Sequence, residues 1–441
     1  MRPAAFLTAS MGLIAPLLMV SGGASHAADD PPTAPTIVDG VTAPVFEYAD
    51  AIRETVWVTA PDLDGDGAQE RIATDIIRPR ELDGTARIPV VMDASPYYLS
   101  LGRGNDSEFK SYDADGKPAK MPLFYDNYFV PRGYAFVAPD MAGTGRSTGC
   151  ADQGGRSDIE SIKVVIEWLN GNAVARNAAG EVVEATWSNG RTGMIGKSYD
   201  GTLANGVAAT GVEGLETIVP ISAISSWYDY NRYQNAVKSN NYPSSLSTTI
   251  AQRRTVPTNC VATNAFMNAN DGDETGAYTD FWAERDYREG SFYDVSKVKA
   301  SVFIMHGLQD NNVRMRNAST WWQDLGEAGV DRKMWLTRLG HVDPFDSDRD
   351  RWVDTLHRWF DHELMQVDNG ILNEPAVDVE VAPDRWVQSD VWPSKGSRMM
   401  KLALRSDGTM RLGTKDDTTL SYVNSAGLSE ANAVRIGASP N

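Results

Sequence analysis

Met194-Ile195-Gly196-Lys197-Ser198-Tyr199-Asp200-Gly201 is an apolar run that stops at a glycine, presents one serine and restarts after a second glycine. A serine on so tight a strand-to-helix turn is exposed as a nucleophile. The stretch therefore predicts a reaction class, acyl transfer through a covalent serine intermediate. The spacing departs from G-x-S-x-G, because Asp200 stands where the second glycine is expected and the glycine follows at Gly201. Alone, the stretch also fits an ordinary strand–helix turn with a buried, hydrogen-bonded serine.

The flanking sequence supplies the fold. Short apolar runs lie at 88–92, 134–138, 192–195, 215–221, 301–305 and 333–338. Ile159, Ile162, Ile166 and Leu169 recur at helical spacing, 202–209 reads as a small-residue helix, and Trp352, Leu356, Trp359, Phe360 and Leu364 line one face of a late helix. Short apolar strands alternating with amphipathic helices imply a mostly parallel sheet covered on both faces. With the serine turn, this is the α/β-hydrolase class.

The alternation breaks between Trp227 and about Val295, a segment rich in Tyr, Asn, Arg and Thr. An insertion there sits above the C-terminal edge of the sheet, where ligands bind, so 228–295 reads as a partly helical cap. From about Asp368 the period changes to strand alternation, in Val377-Asp378-Val379-Glu380-Val381 and Met400-Lys401-Leu402-Ala403-Leu404. The catalytic domain is thus placed at 28–367. Residues 368–441 read as the start of a C-terminal β-sandwich (jelly-roll) with too few strands to close two sheets. Either the chain is a fragment or these strands finish against the main domain.

Residues 1–27 read as a signal peptide: Arg2, an apolar core at 4–20, and Ser25-His26-Ala27 as a small-x-small cleavage pattern. That predicts a secreted protein without a membrane anchor. The net charge of −18 argues against nucleic acid as a partner. Export permits a disulfide between the two cysteines, Cys150 and Cys260; two buried free thiols are the alternative. Asp62-Leu63-Asp64-Gly65-Asp66-Gly67 resembles the start of a calcium loop, but the twelfth position, Ala73, lacks the bidentate Glu such a loop needs. The segment is read as a hairpin turn.

A serine nucleophile requires a base, an orienting acid and an oxyanion site. Of the five histidines, His26 lies in the leader and His357 and His362 lie on the late amphipathic helix. His306 directly follows a strand, and His341 sits on a glycine-bearing loop just past one. His341 is the preferred base. Asp310 follows an earlier strand and gives the chain order Ser198, Asp310, His341, each past a strand end. Asp343 competes as the acid but stands too close to His341 in sequence. The Tyr199 backbone N–H is one oxyanion donor. The Tyr97 hydroxyl, in Ser95-Pro96-Tyr97-Tyr98, is a second candidate; two tyrosines packing at a domain rim is the alternative. The mechanism needs no metal and no cofactor.

These residues resemble the Xaa-Pro dipeptidyl-peptidase and cocaine-esterase family of α/β-hydrolases. Gly196-Lys197-Ser198-Tyr199 with Gly201 is similar to its G-x-S-Y-x-G elbow, and residues 140–149 to its D-x-x-G-x-G-x-S-x-G segment. Ser95-Pro96-Tyr97 resembles the segment bearing its oxyanion tyrosine, and 306–313 and 340–345 its acid and histidine motifs. Residues 223–230 are most similar to the Xaa-Pro dipeptidyl-peptidase branch. The resemblance implies that Trp227 and Tyr230 shape a pocket for proline and the residue before it. It also implies a carboxylate for the substrate amine, for which Asp229 is the candidate. The expected substrate is a peptide with proline at its second position. An esterase or acylase of the same group, and a catalytically inactive secreted binding protein, are the competing functions.

Overall fold

The computed structural model describes residues 32–101, 109–233, 236–413 and 419. The segment read as a signal peptide, 1–27, lies outside them. Strand periodicity decides the architecture. In Ser301–Gly307, Val302 and Ile304 enter one hydrophobic cluster while Phe303 and Met305 enter another. In Arg332–Thr337, Met334 and Leu336 oppose Trp335 in the same way. Strands with two apolar faces must be covered on both. The helices Arg156–Leu169 and Tyr199–Ala208 supply the first cluster, and the helix Arg349–Met365, through Trp352, Leu356, Trp359, Phe360 and Leu364, supplies the second.

Among the described residues the resulting sheet has twelve strands. Its centre runs Ala135–Pro139, Ile88–Met92, Ser188–Lys197, Leu215–Ile221, Ser301–Gly307, Arg332–Thr337 and Val377–Ala382, all parallel to their neighbours. The hairpin Ile52–Ala60 and Glu70–Arg78 continues it antiparallel on one side. Because Ile88–Met92 and Ala135–Pro139 are exchanged relative to chain order, the loops after the neighbouring strands part at the C-terminal edge and leave a crevice.

The C-terminal region departs from the boundary read at 368. Val377–Ala382 is a parallel neighbour of Arg332–Thr337, and Arg385–Ser389 pairs antiparallel with it, so the main sheet runs on to Ser389. These two strands extend the main sheet. The alternation there has a physical reason: Asp378 and Glu380 lie on a face where Arg351 (3.3 Å) and Arg338 (3.1 Å) pair with them. The following strands, Leu402–Leu404 and Met410–Leu412, form a two-stranded sheet of their own.

The insertion carries the helices Trp227–Asn231, Tyr242–Ile250, Val261–Asn270 and Asp280–Ala283. Cys260, at the start of the third, is disulfide-bonded to Cys150 on the loop that closes the 140–149 segment. No helix among the described residues is long and apolar enough to cross a membrane.

Candidate active site

The strand Ser188–Lys197 hands over to the helix Tyr199–Ala208 at Ser198, whose backbone is at φ 62° and ψ −119°. A non-glycine residue held there costs about 1–3 kcal/mol and persists only where its surroundings over-determine it. Here the Ser198 N–H donates to Ile221 O (2.8 Å), and the Ser198 carbonyl accepts from Thr202 N (2.9 Å) and Thr202 Oγ1 (2.7 Å). The displaced glycine has a direct cause. A Cβ on Gly201 would lie 2.4 Å from the Gly196 carbonyl oxygen, and a Cβ on Gly196 would lie 2.5 Å from Asp200 Cβ. The turn needs glycine at these two positions and tolerates a side chain at 200. Gly201→Ala is expected to destabilise the fold by about 1–3 kcal/mol through overpacking, read as a lower urea midpoint; an unchanged midpoint would refute this account of the elbow. Asp200 itself is buried, and burial, followed by the charge of Asp93, holds its carboxyl well above the usual range.

Asp310 and His341 are brought together. His341 Nδ1 lies 2.7 Å from Asp310 Oδ2, while Asp310 Oδ1 accepts from the N–H groups of Asn312 and Val313, both at 2.9 Å. Their loops follow adjacent parallel strands and are tied by Leu308 N–H to Thr337 O (2.8 Å) and Gln309 N–H to Leu339 O (2.9 Å). Gly307 allows this approach, since a Cβ there would meet Gly340 O at 2.1 Å. Burial alone would raise the Asp310 carboxyl; the hydrogen bond and charge of His341 outweigh it and hold it below the usual carboxylate range. A depressed folded pKa contributes stability above the unfolded value, about 3.9, and that stability is lost as pH falls through the folded value. Asp310→Asn is therefore expected to lower the unfolding free energy at pH 7, with the gap to the natural protein narrowing below about pH 4. Chemical denaturation at both pH values measures it, and a gap independent of pH would count against the pairing.

The other histidines among the described residues have structural partners. His306 is buried, and burial holds its imidazole below the usual range; its Nε2 lies 2.8 Å from Val313 O and 3.8 Å from Asp310 Oδ2, so it braces the loop that carries Asp310. His357 packs against Thr42 and Tyr128, and His362 Nδ1 donates to Val367 O. Asp343 caps the short helix Pro344–Ser347, accepting from Phe345 N–H at 2.9 Å.

Tyr97 and Tyr98 point to different tasks. The Tyr98 hydroxyl donates to the Asp93 carbonyl and its ring lies 3.6 Å from Lys110 Nζ. The Tyr97 side chain lines the same cavity as Ser198; burial first, then the charge of Asp200, holds its hydroxyl well above the normal phenol range. It therefore keeps its proton and remains a donor. Tyr199 is the first residue of its helix, where a backbone N–H has no intrahelical acceptor.

Ser198, Tyr97 and Tyr199 open into a cavity of about 160 Å3 whose wall also includes Trp227, Tyr230 and Tyr242. Trp227 is fully buried. Its ring packs 4.9 Å from Tyr199 and 5.6 Å from Tyr230, and its Nε1–H donates to Tyr287 Oη at 3.0 Å. The Tyr230 hydroxyl lies 3.0 Å from both Tyr242 Oη and Asn312 Oδ1.

The sequence matches a known family. The model of "X-Pro dipeptidyl-peptidase (S15 family)" matches residues 64–343, a span from the acidic turn to the loop of His341. The chain belongs to the X-Pro dipeptidyl-peptidase (S15) family. It is 56% identical over 366 residues to a Streptomyces avermitilis protein named "Putative Xaa-Pro dipeptidyl-peptidase", covering 82% of this chain and 53% of that one. A Bacillus anthracis protein of the same name is 40% identical over 375 residues, covering 83% and 62%. The chain thus spans between about half and two thirds of these S15 relatives. The solved structure of a CocE/NonD family hydrolase from Staphylococcus aureus superposes with TM-score 0.59 at 18% identity, over 82% of this chain and 60% of that one. An α-amino acid ester hydrolase does so with TM-score 0.56 at 19% identity, over 90% and 67%. Both share the α/β-hydrolase fold.

One residue proposed from the S15 resemblance is not brought to the cavity. Asp229 pairs with Arg316 (2.9 Å) and Arg288 (3.2 Å). It lies two residues after Trp227 on the helix Trp227–Asn231, and a helical step of two turns a side chain to the opposite face. Among the described residues, the cavity wall contains no carboxylate. Sequence reasoning also passed over Tyr242 and Leu246, which line it. With buried Ile250 they recur every fourth residue along the helix Tyr242–Ile250, and that period was the available signal.

Proposed function

We propose that this chain is an exported serine peptidase that releases Xaa-Pro dipeptides from peptide N-termini. The observation that carries the reading is the aromatic cavity at Ser198, walled by Trp227, Tyr230 and Tyr242 and lined also by Asn312 and Val313, whose N–H groups donate to Asp310. Ser198 attacks the carbonyl of the proline residue while His341 takes its proton. Asp310 holds the imidazole in the tautomer with Nδ1 protonated and stabilises its charged form. The oxyanion is received by the Tyr199 N–H and the Tyr97 hydroxyl. His341 then protonates the leaving amine, and water repeats the cycle on the acyl-enzyme. A flat aromatic wall suits the rigid proline ring, and the small volume limits the cavity to a compact side chain. The Cys150–Cys260 bond supports export, because such bonds persist in oxidising compartments.

The test offers the purified full chain a chromogenic Gly-Pro amide, the matching Gly-Gly amide and a simple aryl ester. Turnover of the Gly-Pro amide well above the Gly-Gly amide is expected. Hydrolysis of the ester alone would replace the peptidase with an esterase. Mature N-terminal sequencing of secreted protein, expected to begin at Ala28, tests the export.

A further inference from the structure

The acidic turn at 62–67 lacks a carboxylate at the twelfth position of a calcium loop, but the fold brings one from an earlier position. Glu70 opens the strand Glu70–Arg78 and is 2% exposed. One oxygen from each of Asp62, Asp64, Asp66 and Glu70 lies within 4.8 Å of all the others. Two ligands of one Ca2+ at 2.3–2.6 Å stand at most about 5 Å apart, so a single ion can reach the whole set. A second observation is independent of the clustering: Glu70 Oε1 is buried with no hydrogen-bond partner, while Oε2 accepts from Thr148 Oγ1 at 2.7 Å. A buried carboxylate oxygen without a donor is costly, and this carboxylate faces three others. A cation would remove both penalties. An all-oxygen set of four carboxylates suits Ca2+, whereas Mg2+ keeps most of its waters and takes one or two carboxylates.

We propose that Asp62, Asp64, Asp66 and Glu70 form a Ca2+ site that fastens the first hairpin of the sheet to the 140–149 loop. The connection runs through Thr148, whose Oγ1 also accepts from Arg71 N–H (2.8 Å) and whose N–H donates to Arg71 O (3.1 Å). Two residues on, Cys150 is bonded to the cap. The ion is structural, and its loss leaves the chemistry at Ser198 unaltered in kind.

The full chain, stripped with EDTA and dialysed, is titrated with CaCl2 by calorimetry and followed by thermal unfolding. One ion per chain is expected, with Kd in the range of about 10⁻⁵–10⁻³ M. At about 100 times Kd the unfolding midpoint should rise by several degrees. Asp64→Asn, at a partly exposed position, should weaken binding at least about tenfold and abolish the shift while leaving the ion-free midpoint unchanged. Glu70→Gln should do the same to binding, with its ion-free fold checked by circular dichroism. No uptake at about 10 mM Ca2+, above the weakest extracellular sites, would overturn the proposal. So would Asp64→Asn binding like the natural chain, or an equal response to MgCl2.

Discussion

Ser198→Ala is expected to lower kcat on a Gly-Pro arylamide by about 10⁵–10⁶, the cost seen when the nucleophile of a serine triad is removed. The fold should survive. Alanine and serine meet the same steric cost at φ 62°, and the hydrogen bonds that hold the turn are made by the Ser198 backbone, not its hydroxyl. The unfolding midpoint should stay near that of the natural chain, and labelling by a fluorophosphonate should disappear. Triad members act as a unit, so Ser198→Ala combined with His341→Ala should be little worse than either alone. Retention of more than about 1% of the activity would refute Ser198 as nucleophile, since even the oxyanion site and binding alone leave only a 10³–10⁴-fold residue over water.

How far the sequence carried this site depended on how local each signal was. Ser198, Asp310 and His341 each follow the end of their own apolar strand, and a strand end is visible within a few residues. Ser198, Asp310 and His341 were therefore legible in order, and the parallel sheet fixes that their loops share one edge. Asp229 was not legible, because its fate depends on Arg288 and Arg316 arriving from distant segments. Val377–Ala382 misled for a related reason. Alternating Val and acidic residues describe one wet face, and nothing local says that Arg351 and Arg338 cover that face beside a parallel neighbour. In the acidic turn, a rule written for one loop length inspects Ala73 and not Glu70, which the strand's entry turns inward.

Tyr97→Phe removes one hydroxyl and leaves the ring, with its 6.0 Å edge contact on Tyr199, in place. It is expected to lower kcat on the Gly-Pro arylamide by about 10²–10³, the usual cost of one oxyanion donor. KM should change little, because the charge the hydroxyl meets exists in the transition state and not in the bound peptide. The remaining Tyr199 N–H explains why the loss falls short of that in Ser198→Ala. A packing role predicts a different pattern: a lower unfolding midpoint and a raised KM with kcat nearly kept. The hydroxyl's raised pKa sharpens the contrast. A donor that keeps its proton throughout the working range adds no limb to the pH–rate profile, so the variant should be slower by one constant factor from pH 6 to about pH 9. Activity within about threefold of the natural chain would leave the oxyanion without its side-chain donor, and a loss confined to high pH would show that Tyr97 ionises and acts as a base instead.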